Sequence, residues 1–313
     1  MTPKIVTVAA AVITRPDGSF LLGQRGEETF YTGYWEFPGG KVEPGETAHD
    51  AVIRELEEEL AIKVHGARPW IVRRHLYEHA HVTLNFFEVY DWTGEPQPLV
   101  HSALAWQRAD ALEVGPMLPA NGPILKALRL PRRFGVTHAH EIGVNAQLSA
   151  LDTSLAVGLQ AVVIREHALP PSTRQAFARE VVARCRAVGA LAIVGGDAAL
   201  AAEVGADGLQ LTAAQLADAS ARPGFEWVGA SCHTRAELER VAELELDYAV
   251  LGNVRATPTH PGKAGIGWEQ FHALTRDLPM PVVAIGGLRE SDMSDARGAG
   301  AHGIAAVRSI WGR

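Results

Sequence analysis

The chain has 313 residues, 47% hydrophobic and 21% charged, with a formal net charge of −7 at pH 7. Those values suit a folded protein of about two domains and exclude a disordered chain. The acidic balance also opposes binding to a nucleic-acid polymer, which needs a basic face. Residues 1–132 hold 13 basic and 17 acidic side chains and residues 133–313 hold 16 and 19, so neither part hides a basic domain. A small anionic substrate would therefore need a bound cation or local donors. No run of about 18 apolar residues occurs, so no membrane span is expected.

MTPKIVTVAAAVI passes from one lysine straight into a strand-like run and makes a poor signal peptide. Two cysteines, Cys185 and Cys232, cannot make a disulfide framework or a zinc site alone. The cytosol is the expected compartment. VTVAAAVI, SFLLGQR and HVTLNFFEVYDW read as strands around one strongly patterned helix, a mixed α+β domain. Asn121 to Leu130 reads as a helix that stops at Pro131. The expected division is 1–132 and 133–313.

Beyond it, eight short apolar runs alternate with Ala-rich helical stretches: FGVTHA, LQAVVIR, ALAIVGG, DGLQL, WVGASCH, YAVLGNV, PVVAIGG and GIAAVRS. Near-continuous apolar strands with helical crossovers predict a parallel sheet buried on both faces. Eight such units predict a small (β/α)8 barrel, with a doubly wound open sheet as the alternative.

The densest signal is GGKVEPGETAHDAVIRELEEELAI, residues 39–62. Glu43-Pro44-Gly45 is a turn, and Thr47 with Asp50 makes a capping-box-like helix start. At about 100° per residue with Glu55 at 0°, Glu59 falls at ~40°, Glu58 at ~300° and Glu57 at ~200°. Val52, Ile53, Leu56 and Leu60 fall between about 60° and 160°. Glu55, Glu58 and Glu59 thus share a face beside the buried stripe, and Glu57 does not. An acidic run alone reads as a solvated face. Here, however, like charges gather at the core edge, where an unpaired charge is costly. Arg54, at ~260°, lies off that face and Lys63 lies beyond the helix, so few basic partners are expected. A hard divalent cation relieves the repulsion, and oxygen-only ligands select magnesium or manganese.

Gly40, Glu46, Arg54, Glu55, Leu56, Glu58, Glu59 and Ile62 match the Nudix box, G-x5-E-x7-R-E-U-x-E-E-x-G-U, where U is aliphatic. The segment therefore resembles the Nudix hydrolases, with Ala61 in place of the late Gly. The resemblance implies that Glu55, Glu58 and Glu59, with the Gly40 carbonyl, hold a catalytic Mg2+ or Mn2+. It implies that Glu46 and Arg54 shape the loop–helix junction and that Glu46 contributes to a further metal site. Nudix enzymes cleave a nucleoside diphosphate linked to another moiety, with the metal neutralising charge and activating water.

FLLGQR, WEFPGGK, HVTLNFFEV and LPANGPI further resemble MutT-like members that hydrolyse 8-oxo-dGTP. By that resemblance Asn121 hydrogen-bonds the purine edge, since an amide offers both donor and acceptor. Pro119-Ala120-Asn121-Gly122-Pro123 alone would read as a turn. Arg25 would sit over the phosphate or sugar, or else is a surface arginine at a strand end. The MutT pattern has a further metal-binding Glu after the GEP turn, and Val100 holds its place here, so Glu95 or water substitutes or the rate differs. His75, His79 and His81 invite zinc, but no acidic or cysteine partner follows at metal-site spacing, so none is expected.

GADGLQL, VGASCHT, LGNVRATPTHPGKAGIGW, PVVAIGGL and GAHGIAAVRSIW come in the order and spacing of thiamine phosphate synthase and its relative TenI, a thiazole tautomerase. The resemblance covers about residues 134–313. Gly286-Gly287 after strand seven and Ser309 after strand eight are the expected phosphate cup, with help from Thr257 and Thr259. Gly-Gly equally suits a tight turn after the strand. The synthase pattern departs at His167, where a Lys is expected, at Gly195-Gly196-Asp197, where an Asn-Asp-Arg-like triplet is expected, and at Thr212-Ala213-Ala214-Gln215, where acidic residues are expected. A tautomerase needs a proton shuttle and no metal, which His233 in SCHT would supply.

The expected whole is a cytosolic, magnesium-dependent Nudix hydrolase that converts 8-oxo-dGTP or a close relative to monophosphate and pyrophosphate. Its barrel is expected to bind a thiazole or thiamine monophosphate, with no nucleic-acid polymer or membrane as partner. The alternatives are a hydrolase of a thiamine-pathway pyrophosphate and a hydrolase regulated by a ligand-sensing, non-catalytic barrel.

Overall fold

The computed structural model describes residues 5–27, 29–77, 80–257 and 264–311. His79 and Thr259 lie outside the described residues. The chain folds as two compact units, Met1–Leu130 and Pro131–Arg313.

The first unit contains strands β1 (Ile5–Ile13), β2 (Phe20–Gln24), β3 (Trp35–Glu36), β4 (Gly39–Lys41), β5 (Lys63–Leu76), β6 (His81–Thr93) and β7 (Ala103–Gln107). One sheet runs β4-β1-β6-β5 and a second runs β3-β2-β7. Helices α1 (Ala48–Leu60) and α2 (Gly122–Arg129) complete the unit. Strand β1 explains how the cores divide. Ala9, Ala11 and Ile13 point into the cluster that contains Val52, Leu56 and Leu60 of α1. Ala10 and Val12 point the other way, toward Phe37, Phe86 and Ile124. Alternation with period two therefore buries both faces of the sheet.

Helix α1 begins as its sequence predicts. The Thr47 side chain accepts from the Asp50 amide at 3.1 Å, and its hydroxyl donates to the Asp50 carboxylate at 2.7 Å. It buries Ala51, Val52, Leu56 and Leu60. The helix ends at Ala61, whose φ of 55° is left-handed. That region costs an L-residue about 1–2 kcal/mol and glycine almost nothing, so a Gly at the end of the box has a backbone reason.

In the second unit all eight expected strands form: β8 (Arg133–Val136), β9 (Ala161–Ile164), β10 (Leu191–Gly195), β11 (Gly208–Leu211), β12 (Trp227–Cys232), β13 (Tyr248–Leu251), β14 (Val282–Ile285) and β15 (Gly303–Ala306). Each pairs in parallel with its neighbours, and β15 pairs with β8, so the barrel is closed rather than an open sheet. Almost every strand residue is buried, because side chains fill the barrel inside and helices cover it outside. Helices α3 (Ala139–Ile142), α4 (Val144–Ala156), α5 (Pro171–Ala187), α6 (Ala198–Val204), α7 (Ala213–Asp218), α8 (Arg235–Glu243), α9 (Gly267–Thr275) and α10 (Met293–Gly298) form that cover. Cys185 and Cys232 are free and buried in this core, and burial pushes each thiol up to about 12, which suits packing rather than chemistry. Among the described residues no helix is long and apolar enough to cross a membrane.

Candidate functional sites

The carboxylate face of α1 meets β4. Glu55 presses on Gly40 so closely that a Cβ there would lie 2.2–2.4 Å from its carboxyl atoms. Glu59 accepts from the Gly39 amide at 3.1 Å. Glu57 is exposed and points elsewhere, as its helical angle predicts. Glu58 lies on the outer edge of the face, with its side chain 60% exposed.

One expectation is overturned here. Arg54 does not stand apart from the carboxylates. Its guanidinium donates from Nε and Nη2 to Glu46 at 2.9 and 3.1 Å and from Nη1 to Glu55 and Glu58 at 3.0 Å each. Nη2 also donates to the Lys41 carbonyl at 3.1 Å. The wheel angle failed because Arg54 and Glu58 differ by only about 40°, and two long side chains cross that gap easily. Arg54 thus ties the loop before the helix, the end of β4 and the acidic face together. Its hydrogen bonds hold the Glu46 carboxyl below the usual range, helped by the Glu43 amide.

Among the described residues no three acidic, histidine or cysteine groups converge as a preformed cluster. Glu55 and Glu58 face Arg54, and Glu59 faces the Gly39 amide. The donor set still fits a hard cation. All its atoms are oxygens, and burial followed by the charges of Glu55 and Glu36 raises the Glu59 carboxyl to about 7, against the Gly39 hydrogen bond and Arg25. Positive charge is in short supply there.

A second group lies around Arg25, just after β2. Arg25 Nη1 reaches both oxygens of Glu36 at 2.7 Å, and its Nε donates to the Phe30 carbonyl at 2.8 Å. Arg25 is thus held by Glu36 and the Phe30 carbonyl, which sets aside the alternative of a free surface arginine at the strand end. Glu36 is raised by burial, with the Arg25 charge opposing. Asn121 ends a single 3-10 turn, Pro119–Asn121, that leads into α2. It is buried, and among the described residues its Nδ2 has no hydrogen-bond partner. The Tyr77 hydroxyl accepts from the neighbouring Ala120 amide. Tyr31 and Tyr77, which the sequence reading missed, have ring centroids 5.7 Å apart. Two aromatic residues in polar loops before β3 and after β5 were the available signal. In the loop after β6, the Gln97 and Leu99 amides bond the last carbonyls of α1, Val100 is exposed, and Glu95 pairs with Arg15 at 3.5 Å.

The barrel holds a cavity of about 320 Å³ at the carboxyl ends of its strands. Gly286, Gly287, Ser309, Thr257 and His233 border it, as do His167 and three arginines, Arg165, Arg289 and Arg308. No Asp or Glu is among the described residues that line it. Asp197, in the expected acidic triplet, instead caps α6 through the Leu200 amide and pairs with Arg174 at 2.8 Å. Thr212 and Gln215 form a capping box for α7. Gly287 has a φ of 66°, and a Cβ there would meet the Ala256 carbonyl at 2.8 Å. Backbone crowding therefore requires glycine where the cavity also needs an open wall. The Ser309 hydroxyl donates to the Leu288 carbonyl at 2.5 Å, so a phosphate contact falls to its amide. His233 Nδ1 donates to the Gly252 carbonyl at 2.8 Å, which leaves Nε2 as the acceptor nitrogen.

The NUDIX domain model matches residues 4–128, and the thiamine monophosphate synthase model matches residues 134–310. The CTP pyrophosphohydrolase of Escherichia coli is 37% identical over 124 residues, 40% of this chain and 91% of that protein. The 8-oxo-dGTP diphosphatase of Haemophilus influenzae is 36% identical over 128 residues, 41% of this chain and 94% of that protein. The thiamine-phosphate synthase of Thermosynechococcus vestitus is 34% identical over 166 residues, 52% of this chain, and the match spans only 47% of that protein's length. The chain belongs to the Nudix hydrolases through its first unit and to the thiamine monophosphate synthase family through its barrel.

Proposed function

We propose that the first unit is a magnesium-dependent pyrophosphohydrolase of nucleoside triphosphates, with 8-oxo-dGTP as its principal substrate. Water adds to phosphorus, the bond to the leaving oxygen breaks, and nucleoside monophosphate and pyrophosphate result. The observation that carries this reading is the contact of Glu55 and Glu59 with the Gly39-Gly40 backbone. Glu55, Glu58, Glu59 and the Gly40 carbonyl would hold the cation, with Glu46 contributing to a further site. When bound, Mg2+ or Mn2+ would neutralise phosphate charge and activate water. Arg54 orients Glu46, Glu55 and Glu58 in one junction, so it positions the acidic face. Asn121 would present its Nδ2, which has no partner among the described residues, to a carbonyl oxygen of the base. The likeness to a CTP pyrophosphohydrolase favours CTP as a second substrate, because cytosine also offers a carbonyl acceptor.

For the barrel, the reading is a metal-free site for a thiazole or thiamine monophosphate, bordered by Gly286, Gly287 and Ser309, with Thr257 assisting. His233 Nε2 would carry a proton between ring positions if the bound thiazole isomerises. The cationic lining without carboxylates supports it. A panel of 8-oxo-dGTP, dGTP, CTP and thiamine diphosphate, assayed with and without magnesium, tests the hydrolase. Pyrophosphate from 8-oxo-dGTP is expected, and its absence from every nucleotide refutes the reading.

A further inference from the structure

We propose that the Arg308 side chain binds the phosphoryl group in the barrel cavity, and that Glu141 holds this arginine back until an anion arrives. The inference rests on the monophosphate reading of the barrel above and adds to it a side-chain donor and that donor's competitor.

Arg308 follows β15 by two residues and borders the cavity together with Gly286, Gly287 and Ser309. The two glycines offer backbone only, and the Ser309 hydroxyl is spent on the Leu288 carbonyl. A phosphate monoester carries about −1.5 to −2 charges near neutral pH, which neutral amides leave largely uncompensated. Arg308 is a cation in the right place, yet an acid already occupies it. Its Nε donates to Glu141 Oε2 at 3.1 Å, and its Nη2 donates to Glu141 Oε1 at 2.7 Å and Oε2 at 2.9 Å. Glu141 is not among the described residues that line the cavity.

Glu141 stands on a fixed support. It belongs to α3, a helix of 4 residues after β8. The fully buried Glu166 carboxylate accepts from the Ala139 amide at 2.6 Å and the His140 amide at 3.0 Å, and His140 Nδ1 lies 3.0 Å from it. A buried carboxylate is costly unless bonded, so these contacts set where α3 sits. The clasp that α3 carries is of another kind, because the Arg308 and Glu141 side chains are 44% and 39% exposed. Water screens such a pair, and exposed ion pairs contribute little. A phosphate offers the same guanidinium fork more charge in a less solvated place. When Arg308 leaves, His140 Nε2 remains 3.8 Å from Glu141 Oε1, so the carboxylate keeps a polar neighbour. Arg308 therefore has two available partners, and the one it holds without ligand is the weaker.

The test is calorimetry on the full chain in EDTA, with inorganic phosphate and thiamine monophosphate as probes. Arg308→Ala should weaken both on the order of tenfold or more, since a hydrogen-bonded charge is lost. Glu141→Gln should tighten both about two- to fivefold, the scale of one exposed ion pair. In the Arg308→Ala background Glu141→Gln should change nothing, whereas a general rise in positive potential would still tighten binding. Arg308→Lys keeps the charge and loses the fork; it should melt like wild type and bind with intermediate affinity. Unchanged affinity in Arg308→Ala overturns the role of Arg308 and leaves the backbone cup standing. Equal tightening by Glu141→Gln with and without Arg308 overturns the exchange between partners. Failure of wild type and Glu141→Gln alike to bind either probe overturns the monophosphate reading, and the role of Arg308 falls with it.

Discussion

Adjacent glycines at the head of the box should respond oppositely to one added methyl group. At Gly40 the three atoms nearest the methyl all belong to the Glu55 carboxyl, the far end of a flexible side chain, and the backbone there is not left-handed. Gly40→Ala should therefore fold, with a stability loss of about 1 kcal/mol and a fall in midpoint of about 3–5 °C. The methyl nevertheless displaces Glu55 by about 1 Å, and misplacement on that scale costs about 10² in rate. At Gly39 the methyl would lie 2.1 Å from the Ala9 carbonyl and 2.8 Å from the Ala10 Cα, at a φ of 140°. Neither β1 nor β4 can retreat without breaking the pairing of Ala9 with Gly40 and Ala10 with Gly39. Gly39→Ala should cost about 3 kcal/mol or more and lower the midpoint by about 10 °C. Thermal melts of both variants, beside kcat/KM for 8-oxo-dGTP, separate the two effects. Wild-type kcat/KM in Gly40→Ala, or equal destabilisation by both, would refute the assignment of Glu55 to the reacting site.

The helical face makes a similar contrast: Glu58→Gln should lower turnover by orders of magnitude and Glu57→Gln should not, and equal effects in a rate assay would remove the face. Ala61→Gly should raise the thermal midpoint of the first unit by about 3–5 °C, since it relieves about 1 kcal/mol of left-handed strain. An unchanged melt would show that the helix end relaxes elsewhere. Asn121→Ala should cut discrimination between 8-oxo-dGTP and dGTP by about one decade while pyrophosphate release continues, because net hydrogen bonds are worth roughly 0.5–1.5 kcal/mol. Unchanged discrimination would take Asn121 out of the base site. For the barrel, calorimetry on the full chain should show thiazole phosphate binding that magnesium does not alter, and measurable thiamine phosphate synthesis would contradict the metal-free reading. His233→Ala should abolish any thiazole isomerisation while leaving phosphate binding nearly intact in the same calorimeter.

Much of this architecture was legible because it depends on short-range periodicity. The eight barrel strands are apolar runs buried on both faces, and their sequence limits contain the observed ones except at β8, which begins one residue earlier at Arg133. The distribution of Glu55, Glu57 and Glu59 around α1 follows from 3.6 residues per turn alone. What failed needed information that periodicity lacks. Arg54 was misassigned because a wheel records Cα directions and ignores the reach of a guanidinium. The left-handed Ala61 depends on how the chain leaves α1, and the clamp of Arg25 on Glu36 depends on β2 pairing with β3. Tyr31 was invisible for a related reason: only the folded loop brings it to Tyr77, more than forty positions away.

The two units meet the same electrostatic problem with opposite chemistry. On the proposed reading, a chain of net charge −7 must attract phosphates. In the first unit Arg54 offsets only part of the charge of Glu46, Glu55 and Glu58, and the half-buried Glu59 remains the group most in need of a cation. An anion can approach such a site only with a metal between them. In the barrel the strand ends carry Arg165, Arg289, Arg308, His167 and His233 toward the cavity, and the nearby acids are already engaged. Asp197 is spent on Arg174 and the α6 cap, Glu166 on the Ala139 and His140 amides, and Glu141 on Arg308 at 2.7 Å. On that reading, a cavity lined by arginines, with no carboxylate among the described lining residues, suits a bare monophosphate better than a metal-bridged diphosphate. The acidic first unit and the cationic barrel cavity are then, on the proposed reading, complementary routes to phosphate, one through a metal and one through the chain's own donors.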